Sequence, residues 1–380
     1  MKVIHIISGL KVGGAEMMLF KLLGAWDRQR DEIEVISLTE KGVMGEKIAS
    51  LGVPVIALGM PRGRPSLGGL VRLTRHLRKS GPAIIHCWMY HGNLIGGLAA
   101  RLAGQRIIIW GIRSSNLDEI GNRRSTLWTV KAGAKLSGLI PRKVVCCSEN
   151  AGRIHVALGY RADKMLTIPN GFDLGRFKPD AEAREAVRRE LNVPGAAVLI
   201  GFVARFDPQK DHRNFIEAAR RLAARTAGVH FLMCGERVDW ANPELAGWID
   251  AAGLRDRFHL LGRRDDVPRV TAALDLAACA SAYGEAFPNV LGEAMACGVP
   301  CVSTDVGDSA YIVGDTGLIV PPRAPDRLAD AWWQLIERGP AHRQELGRAA
   351  RQRVADKFEL NSVAASYAQL YRDLVAEAAK

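Results

Sequence analysis

Glu285 and Glu293 stand eight positions apart in the segment Tyr283-Gly-Glu285-Ala-Phe287-Pro288-Asn289-Val290-Leu291-Gly-Glu293-Ala-Met-Ala-Cys-Gly298-Val-Pro300. An ionised carboxylate only accepts hydrogen bonds, which suits it to hydroxyls. Pro288 fits a first helical turn and Gly298 a helix end, so Glu285 falls in the loop before a helix and Glu293 about one turn inside it. The amides from Asn289 through Val290 to Leu291, with Phe287 beside them, then face a ligand at a helix N-terminus, where backbone N–H groups favour phosphate. The segment combines carboxylates for hydroxyls with amides for phosphate.

Two cations stand upstream, in Ala204-Arg205-Phe206-Asp207-Pro208-Gln209-Lys210-Asp211. Arg205 closes a β-rich run and Lys210 precedes a helical one, the edge at which open α/β sheets bind ligands. A diphosphate fits there, because Arg holds its oxygens bidentately and Lys adds a point charge. A pair of solvated surface cations would give the same string. Near the start, Ser8-Gly9-Leu10-Lys11-Val12-Gly13-Gly14-Ala15-Glu16 follows a first β-rich run, and Gly13 and Gly14 would let backbone amides approach a phosphate. The full G-x-G-x-x-G spacing is missing, and Thr39-Glu40 is a poor ribose acid after the second run, so a plain strand-to-helix turn also accounts for it.

The elements that would position these residues alternate strand and helix, the sequence form of βαβ units and a parallel sheet. Strands are predicted at 3–8, 33–38, 53–58, 84–87, 107–112 and 144–147, with helices at 15–26, 67–79 and 92–103. The pattern pauses at Ile168-Pro169-Asn170-Gly171-Phe172-Asp173, where Pro and Asn-Gly favour a turn. It restarts with strands at 198–204, 231–234, 258–261, 276–279, 299–303 and 318–320, followed by a helical tail from about 324. The expected fold is α/β with two Rossmann-like domains, residues 1–172 and 173–380, and the last helix is free to pack back on the first domain.

A chain of 380 residues with 48% hydrophobic composition has material for two ordinary cores. The opening apolar run breaks at Gly9, too short for a signal-peptide core, and no run approaches the ~20 residues of a membrane span. Seven cysteines without a C-x-x-C pair suggest buried thiols in a reducing, cytoplasmic setting. Residues 1–172 hold 25 Lys and Arg against 11 Asp and Glu, a net +14, whereas the remainder holds 27 against 29. A one-sided basic field draws an anionic surface. Candidates on it are Arg62, Arg64, Arg72, Arg75, Arg78 and Lys79, and later Arg123, Arg124, Lys131 and Lys135, which equally suit the outer faces of Rossmann helices. No zinc-finger or aromatic RNP signature accompanies the charge, so nucleic acid is not expected as a partner.

Glu285 with Glu293 resembles the E-x7-E signature of family-4 retaining glycosyltransferases with the GT-B fold. The Arg205–Lys210 motif, the Ile168–Asp173 hinge and the glycine-rich first loop occur in that family in the same order, and together they span nearly the whole chain. The resemblance implies two Rossmann-like domains facing across a cleft, and a nucleoside-diphosphate sugar such as a UDP-sugar as donor. It implies that Glu293 binds the ribose, that Glu285 orders the sugar, and that Arg205 and Lys210 clamp the diphosphate. Gly13 and Gly14 then close over the phosphate, and the base lies near Leu261–Val267, with Arg263. The family keeps a functional histidine after its fourth strand, often as H-x-H; here Trp88-Met-Tyr-His91-Gly departs from that form, His91 is the choice for the role with a capping or packing histidine as the alternative, and His86, at the end of a buried strand, reads as structural.

The same resemblance implies a retaining transfer in which the leaving phosphate serves as base. No D-x-D occurs in the chain, so no metal and no cofactor are expected. The implied acceptor is a glycan or lipid-linked glycan of surface-polysaccharide assembly, with the enzyme cytoplasmic or peripheral on the cytoplasmic face of the inner membrane. A sugar-nucleotide epimerase of similar fold, a nicotinamide oxidoreductase and a nonenzymatic lipid- or nucleic-acid-binding protein are the competing readings. The last would leave Glu285, Glu293, Arg205 and Lys210 without a joint role.

Overall fold

In the computed structural model, which describes residues 1–61, 66–115, 117 and 124–379, the β-rich runs form two wholly parallel sheets. The first contains β1 (Lys2–Ile7), β2 (Glu32–Ser37), β3 (Val55–Ala57), β4 (Ile84–Trp88), β5 (Ile107–Ile112), β6 (Lys143–Cys146) and β7 (Met165–Thr167), in the order β3-β2-β1-β4-β5-β6-β7. The second contains β8 (Val198–Val203), β9 (Val229–Cys234), β10 (Phe258–Leu260), β11 (Leu276–Cys279), β12 (Cys301–Thr304) and β13 (Gly317–Val320), in the order β10-β9-β8-β11-β12-β13. Helices cover both faces of such sheets, which is why the strands read as continuous Val, Ile and Leu runs rather than alternating ones.

Each order reverses once, between β1 and β4 in the first sheet and between β8 and β11 in the second. Loops leaving neighbouring strands at a reversal diverge to opposite faces and open a crevice at the carboxyl edge. Four of the candidate motifs fall there, whereas the Leu261–Val267 segment follows the edge strand β10. The Gly13-Gly14 turn follows β1 and His91 follows β4, while Arg205 and Lys210 follow β8 and Glu285 follows β11.

Contacts divide the chain into Met1–Gly171 with Leu360–Lys380, and Phe172–Glu359. The break falls between Gly171 and Phe172, one residue before the expected boundary. The last helix, Leu360–Ala379, clusters with the first unit, the arrangement left open for it beside the 173–380 boundary. Within the first unit, Gly171 packs so close to the helix Leu360–Ala379 that a Cβ on it would lie 2.9 Å from Leu360 Cα. Strand β7 is not among the strands predicted from the sequence, because Met165-Leu-Thr is too short to show a period; it pairs with β6 through Val144↔Met165 and Cys146↔Thr167. The helix expected at 92–103 begins earlier, at Met89, and widens over Gly92–Gly96 before Gly97–Leu102. Arg62, Arg64 and Arg123 lie outside the described residues. None of the described helices is long and apolar enough to cross a membrane.

A polar layer runs through the core of the first unit beside the helix Leu360–Ala379. His86 is fully buried in the middle of β4, not at its end, and its Nδ1 lies 2.6 Å from the Tyr371 hydroxyl. Trp88 Nε1 donates to His5 Nδ1 at 3.1 Å, and the Arg113 guanidinium lies 4.7 Å over the Trp88 ring. Arg113 also donates to Asn170 Oδ1 at 2.8 Å and to the Tyr367 hydroxyl. Burial pushes the His5 pKa down to about 3 and that of His86 well below its ordinary value, so both rings are neutral and bond as such. Because His86 Nε2 is buried without a partner, Nδ1 depends on Tyr371 alone. Tyr371→Phe is therefore expected to cost about 1–2 kcal/mol, read as a lower thermal midpoint with an unchanged circular-dichroism spectrum.

Candidate active site

The centre of the second unit's carboxyl edge is the Glu285 carboxylate. Its Oε1 receives both Lys210 Nζ and Ser281 Oγ, the latter at 2.7 Å, and the side chains of Lys210 and Glu285 are only 17% and 10% exposed. Lys210 is delivered by a single turn, Pro208–Lys210, fixed at both ends. Asp207 caps its start by accepting the Gln209 amide at 2.9 Å. Asp211 takes a left-handed conformation (φ 52°) and caps the next helix, His212–Ala223, by accepting the Asn214 amide at 3.2 Å. Burial pushes the Asp207 carboxyl up, but the Gln209 amide, Arg205 and Lys210 outweigh it and leave the group below its usual value. Burial dominates at Asp211 and raises it.

Three strand ends converge to hold the Glu285 loop. The Ala282 amide donates to the Gln209 carbonyl at 2.8 Å, tying the β11 loop to the β8 loop. Thr304, the last residue of β12, donates its hydroxyl to the Ser281 carbonyl at 2.7 Å. Gly307, at φ +66°, sits against the Glu285 carbonyl, where any Cβ would overlap it; only glycine meets both conditions. Ser281, Thr304 and Gly307 do not stand out in the sequence. Their signal is a polar residue directly after an apolar strand, and that becomes informative only once β11 and β12 are known to be neighbours.

Glu293 lies on the helix Asn289–Ala296, half-buried, and borders a small recess with Gly201, Val203, Val267, Thr271 and Val290. That helix is placed by aromatic packing. The Phe172 ring lies against Gly292, which has no side chain to displace it, and is 6.2 Å from the stacked Phe287 ring. Arg351 donates to the carbonyls of Ala296, Phe177 (3.1 Å) and Leu174 (3.2 Å), fixing the helix's other end. Two of the expected contacts change character. The Phe287 ring is 6% exposed and committed to Phe172 and Phe358, and the Leu291 amide already donates to the Pro288 carbonyl at 3.1 Å. The amides of Asn289 and Val290 are in the first turn, beyond the reach of intrahelical acceptors.

Arg205 is 56% exposed on its side chain, with its Nε 3.1 Å from Asp207. Arg263 is exposed in the segment after β10, which is clamped by the Gly235 amide on the Gly262 carbonyl (2.8 Å) and by the Gly262 amide on the Val238 carbonyl (2.8 Å). Its neighbour Arg264 is already spent on Asp266 and Glu190, both at 2.7 Å.

In the first unit, Gly13 caps the helix Gly14–Gly24, and the Glu16 carboxylate stands beside it, where a Cβ on Gly13 would overlap Glu16. A Cβ on Gly14 would meet nothing within 4 Å, so the helix start is open on that side. His91 closes the turn that Met89 begins at φ +66°, an unusual backbone for a residue with a side chain. The turn is held by the Gly92 amide on Ser8 Oγ (3.0 Å) and by the Tyr90 hydroxyl on the Ser114 carbonyl (3.2 Å). Partial burial lowers the His91 pKa, favouring the neutral ring.

Two family models match the chain: Glycosyltransferase Family 4 over residues 12–176 and Glycosyl transferases group 1 over residues 197–338. The chain is 27% identical over 369 residues to the putative glycosyltransferase EpsF of Bacillus subtilis (strain 168), covering 90% of this chain and 88% of that protein. It is 24% identical over 247 residues to the UDP-Gal:alpha-D-GlcNAc-diphosphoundecaprenol alpha-1,3-galactosyltransferase of Escherichia coli, covering 64% of this chain and 63% of that one. Its fold is shared with Anabaena Alr3699/HepE in complex with UDP, at a TM-score of 0.86 and 22% identity over 98% of this chain and all of that one.

The ion pair itself is open to a double-mutant cycle. Lys210→Met strands a largely buried carboxylate and is expected to cost about 2–3 kcal/mol. Adding Glu285→Gln removes the stranded charge, so the double variant should be more stable than Lys210→Met alone; additive losses in thermal unfolding would show that the pair is not coupled.

Proposed function

The chain is a glycosyltransferase of family 4 with the GT-B fold, and we propose that it transfers a sugar, with retention of anomeric configuration, from a UDP-sugar to a hydroxyl of a lipid-linked glycan. The observation that carries this reading is the Lys210–Glu285–Ser281 cluster at the β8/β11 reversal, with Glu293 on the adjoining helix. Support for the donor comes from the UDP-Gal named for the E. coli relative and the UDP held by the Anabaena protein. The same relative's diphosphoundecaprenol acceptor and the likeness to EpsF support a lipid-linked acceptor in surface-polysaccharide assembly, at the cytoplasmic face of a membrane.

The geometry suggests an exchange of partners. Without donor, Lys210 neutralises Glu285. An arriving diphosphate competes for the Lys210 ammonium and, with Arg205, holds it through charge-assisted bonds. The Glu285 carboxylate then turns to sugar hydroxyls, while Ser281 keeps it oriented. Glu293 accepts from the ribose hydroxyls, and the first-turn amides of the helix Asn289–Ala296 face the phosphates. Arg263 and the clamped segment around it lie beside the base. On the first unit, the open helix start at Gly13 and Gly14 suits a phosphate, and His91 on the neighbouring loop suits a sugar oxygen.

In the transfer, the bond from the anomeric carbon to the diphosphate oxygen breaks and a bond to the acceptor oxygen forms on the same face. The acceptor proton passes to the departing phosphate. An oxocarbenium-like transition state gains from fixed charges already in position. Arg205, Lys210 and helix amides supply the positive field at the leaving group, which makes the reaction metal-independent.

In a thermal-shift series with UDP, GDP and ADP, UDP should stabilise the protein, and Glu293→Ala should weaken that binding about a hundredfold through loss of charged hydrogen bonds. Stabilisation by NADH alone would favour an oxidoreductase, and turnover of the sugar nucleotide without an acceptor would favour an epimerase. Turnover should survive EDTA unchanged; loss of activity restored by magnesium or manganese would contradict the charge assignment.

A further inference from the structure

The amino ends of β4 to β7 carry a charge imbalance that sugar transfer does not use. The segments leading into those strands, residues 78–84, 101–107, 139–143 and 161–165, hold eight Lys and Arg and one carboxylate, Asp163. Backbone carbonyls tie the cations side by side. Arg78 Nη2 donates to Leu102 at 2.9 Å, Arg101 Nη2 to Leu139 at 2.9 Å, and Lys164 Nζ to Pro141 at 2.8 Å. Arg142 Nε reaches the Arg106 carbonyl at 3.4 Å, while the Arg106 side chain is exposed. Burial lowers the Lys164 pKa; Asp163 opposes this, and Arg161, Arg101 and Arg142 add to it, as expected of neighbours sharing one small area.

Apolar groups are interleaved with these cations. Leu102 and Leu139 are 59% and 66% exposed at adjoining turn tips, linked through Arg101. Beside them a cavity of about 590 Å3 opens among Ile84, Ile107 and Val375, with Arg78 and Arg106 in its lining. Val375, on the last helix, is itself 40% exposed. Cations of one sign explain attraction to any polyanion, but outward leucines and an apolar cavity beside them match a phospholipid: phosphates at the surface and hydrocarbon just beneath.

We propose that this amino edge docks on an anionic bilayer, with Arg101, Arg106 and Arg142 against headgroup phosphates, Leu102 and Leu139 inserted at the interface, and an acyl chain end in the cavity. The proposal rests on the lipid-linked acceptor reading and names the membrane-facing surface for it. That surface takes in only the last residues, Arg78 and Lys79, of the helix Leu67–Lys79 and none of the helix Arg124–Leu136, the two places where the sequence alone put the basic face. It lies across the sheet from the Gly13-Gly14 and His91 loops, a strand's length of ~20 Å away, so the glycan of a lipid-linked acceptor has to span that distance to reach them.

The test is co-sedimentation of the full chain with phosphatidylcholine vesicles, with and without phosphatidylglycerol at about one lipid in three. The wild type should bind only the anionic vesicles, less at high salt. Arg101→Ser, Arg106→Ser and Arg142→Ser combined should weaken partitioning about a hundredfold, at roughly fivefold per cation. Val375→Asp, which keeps every cation, should weaken it as well. Lys131→Ser with Lys135→Ser, on the helix Arg124–Leu136, should bind as the wild type does. Wild-type binding by the triple variant, loss confined to the Lys131 and Lys135 variant, or retention of an RNA oligonucleotide but not of vesicles would each overturn the proposal. UDP binding followed in parallel separates this outcome from failure of the transferase reading, because none of these residues touches the donor cluster.

Discussion

An ammonium and a carboxylate drawn mostly out of water sit at the carboxyl edge of the second unit's sheet, and they tolerate that position because each offsets the other's charge while Ser281 adds a hydrogen bond. Lys210 and Glu285 are 75 residues apart in sequence and reach one another because β8 and β11 are hydrogen-bonded neighbours. Breaking such a pair strands a charge, so the surrounding loops must be held firmly. The two Asp caps around Pro208–Lys210, the Thr304 hydroxyl on the Ser281 carbonyl and the bare backbone of Gly307 serve that purpose. In the proposed reading a diphosphate draws Lys210 away, since it offers a stronger partner than one carboxylate can.

The second requirement is an open edge. A parallel sheet has strand order reversals, and only there do consecutive loops separate enough to admit a ligand. Both sheets place most of their chemically suggestive loops at their single reversal, the Arg263 loop after β10 excepted, and both use glycine or a helix start beside it. The rest of each unit is conventional burial: Val and Ile strands, helices on both faces, and in the first unit a polar layer of neutral histidines and tyrosines around Arg113. That layer also fixes Asn170 within the first unit, immediately before the chain passes to the second at Phe172. On its own side, Phe172 packs on Gly292 and stacks with Phe287, so a residue from the turn motif orients the helix that carries Glu293.

Periodicity is enough for most strands, because fully buried parallel strands leave unbroken Val and Ile runs that Gly and Pro punctuate. It fails at β7, where three residues carry no period, and at Met89–Gly96, where a left-handed Met starts a widened turn that no propensity describes. Among site residues, Glu285, Lys210 and Glu293 are legible because charged side chains beside glycine and proline stand out in an apolar context. Their pairing is not legible: separate roles for Lys210 and Glu285 follow from residue type, whereas their contact depends on strand order. Phe287 and Leu291 show the converse, since a position inside a motif does not reveal that the ring is packed inward or that the amide is already bonded. The basic character of the first unit is visible as a count, but its concentration at the amino edge depends on where four loops end.

The central claim, same-face transfer with the leaving phosphate as base beside Lys210 and Glu285, is tested most directly by the anomeric configuration of the first product. Purified protein would be given an α-linked UDP-sugar and a lipid-linked glycan acceptor, and the new linkage read by proton NMR before further reaction. An α product, formed at a rate unaffected by EDTA, is the result this account requires. A β product would mean that the acceptor attacks from the face opposite the diphosphate and would contradict the assignment of the base.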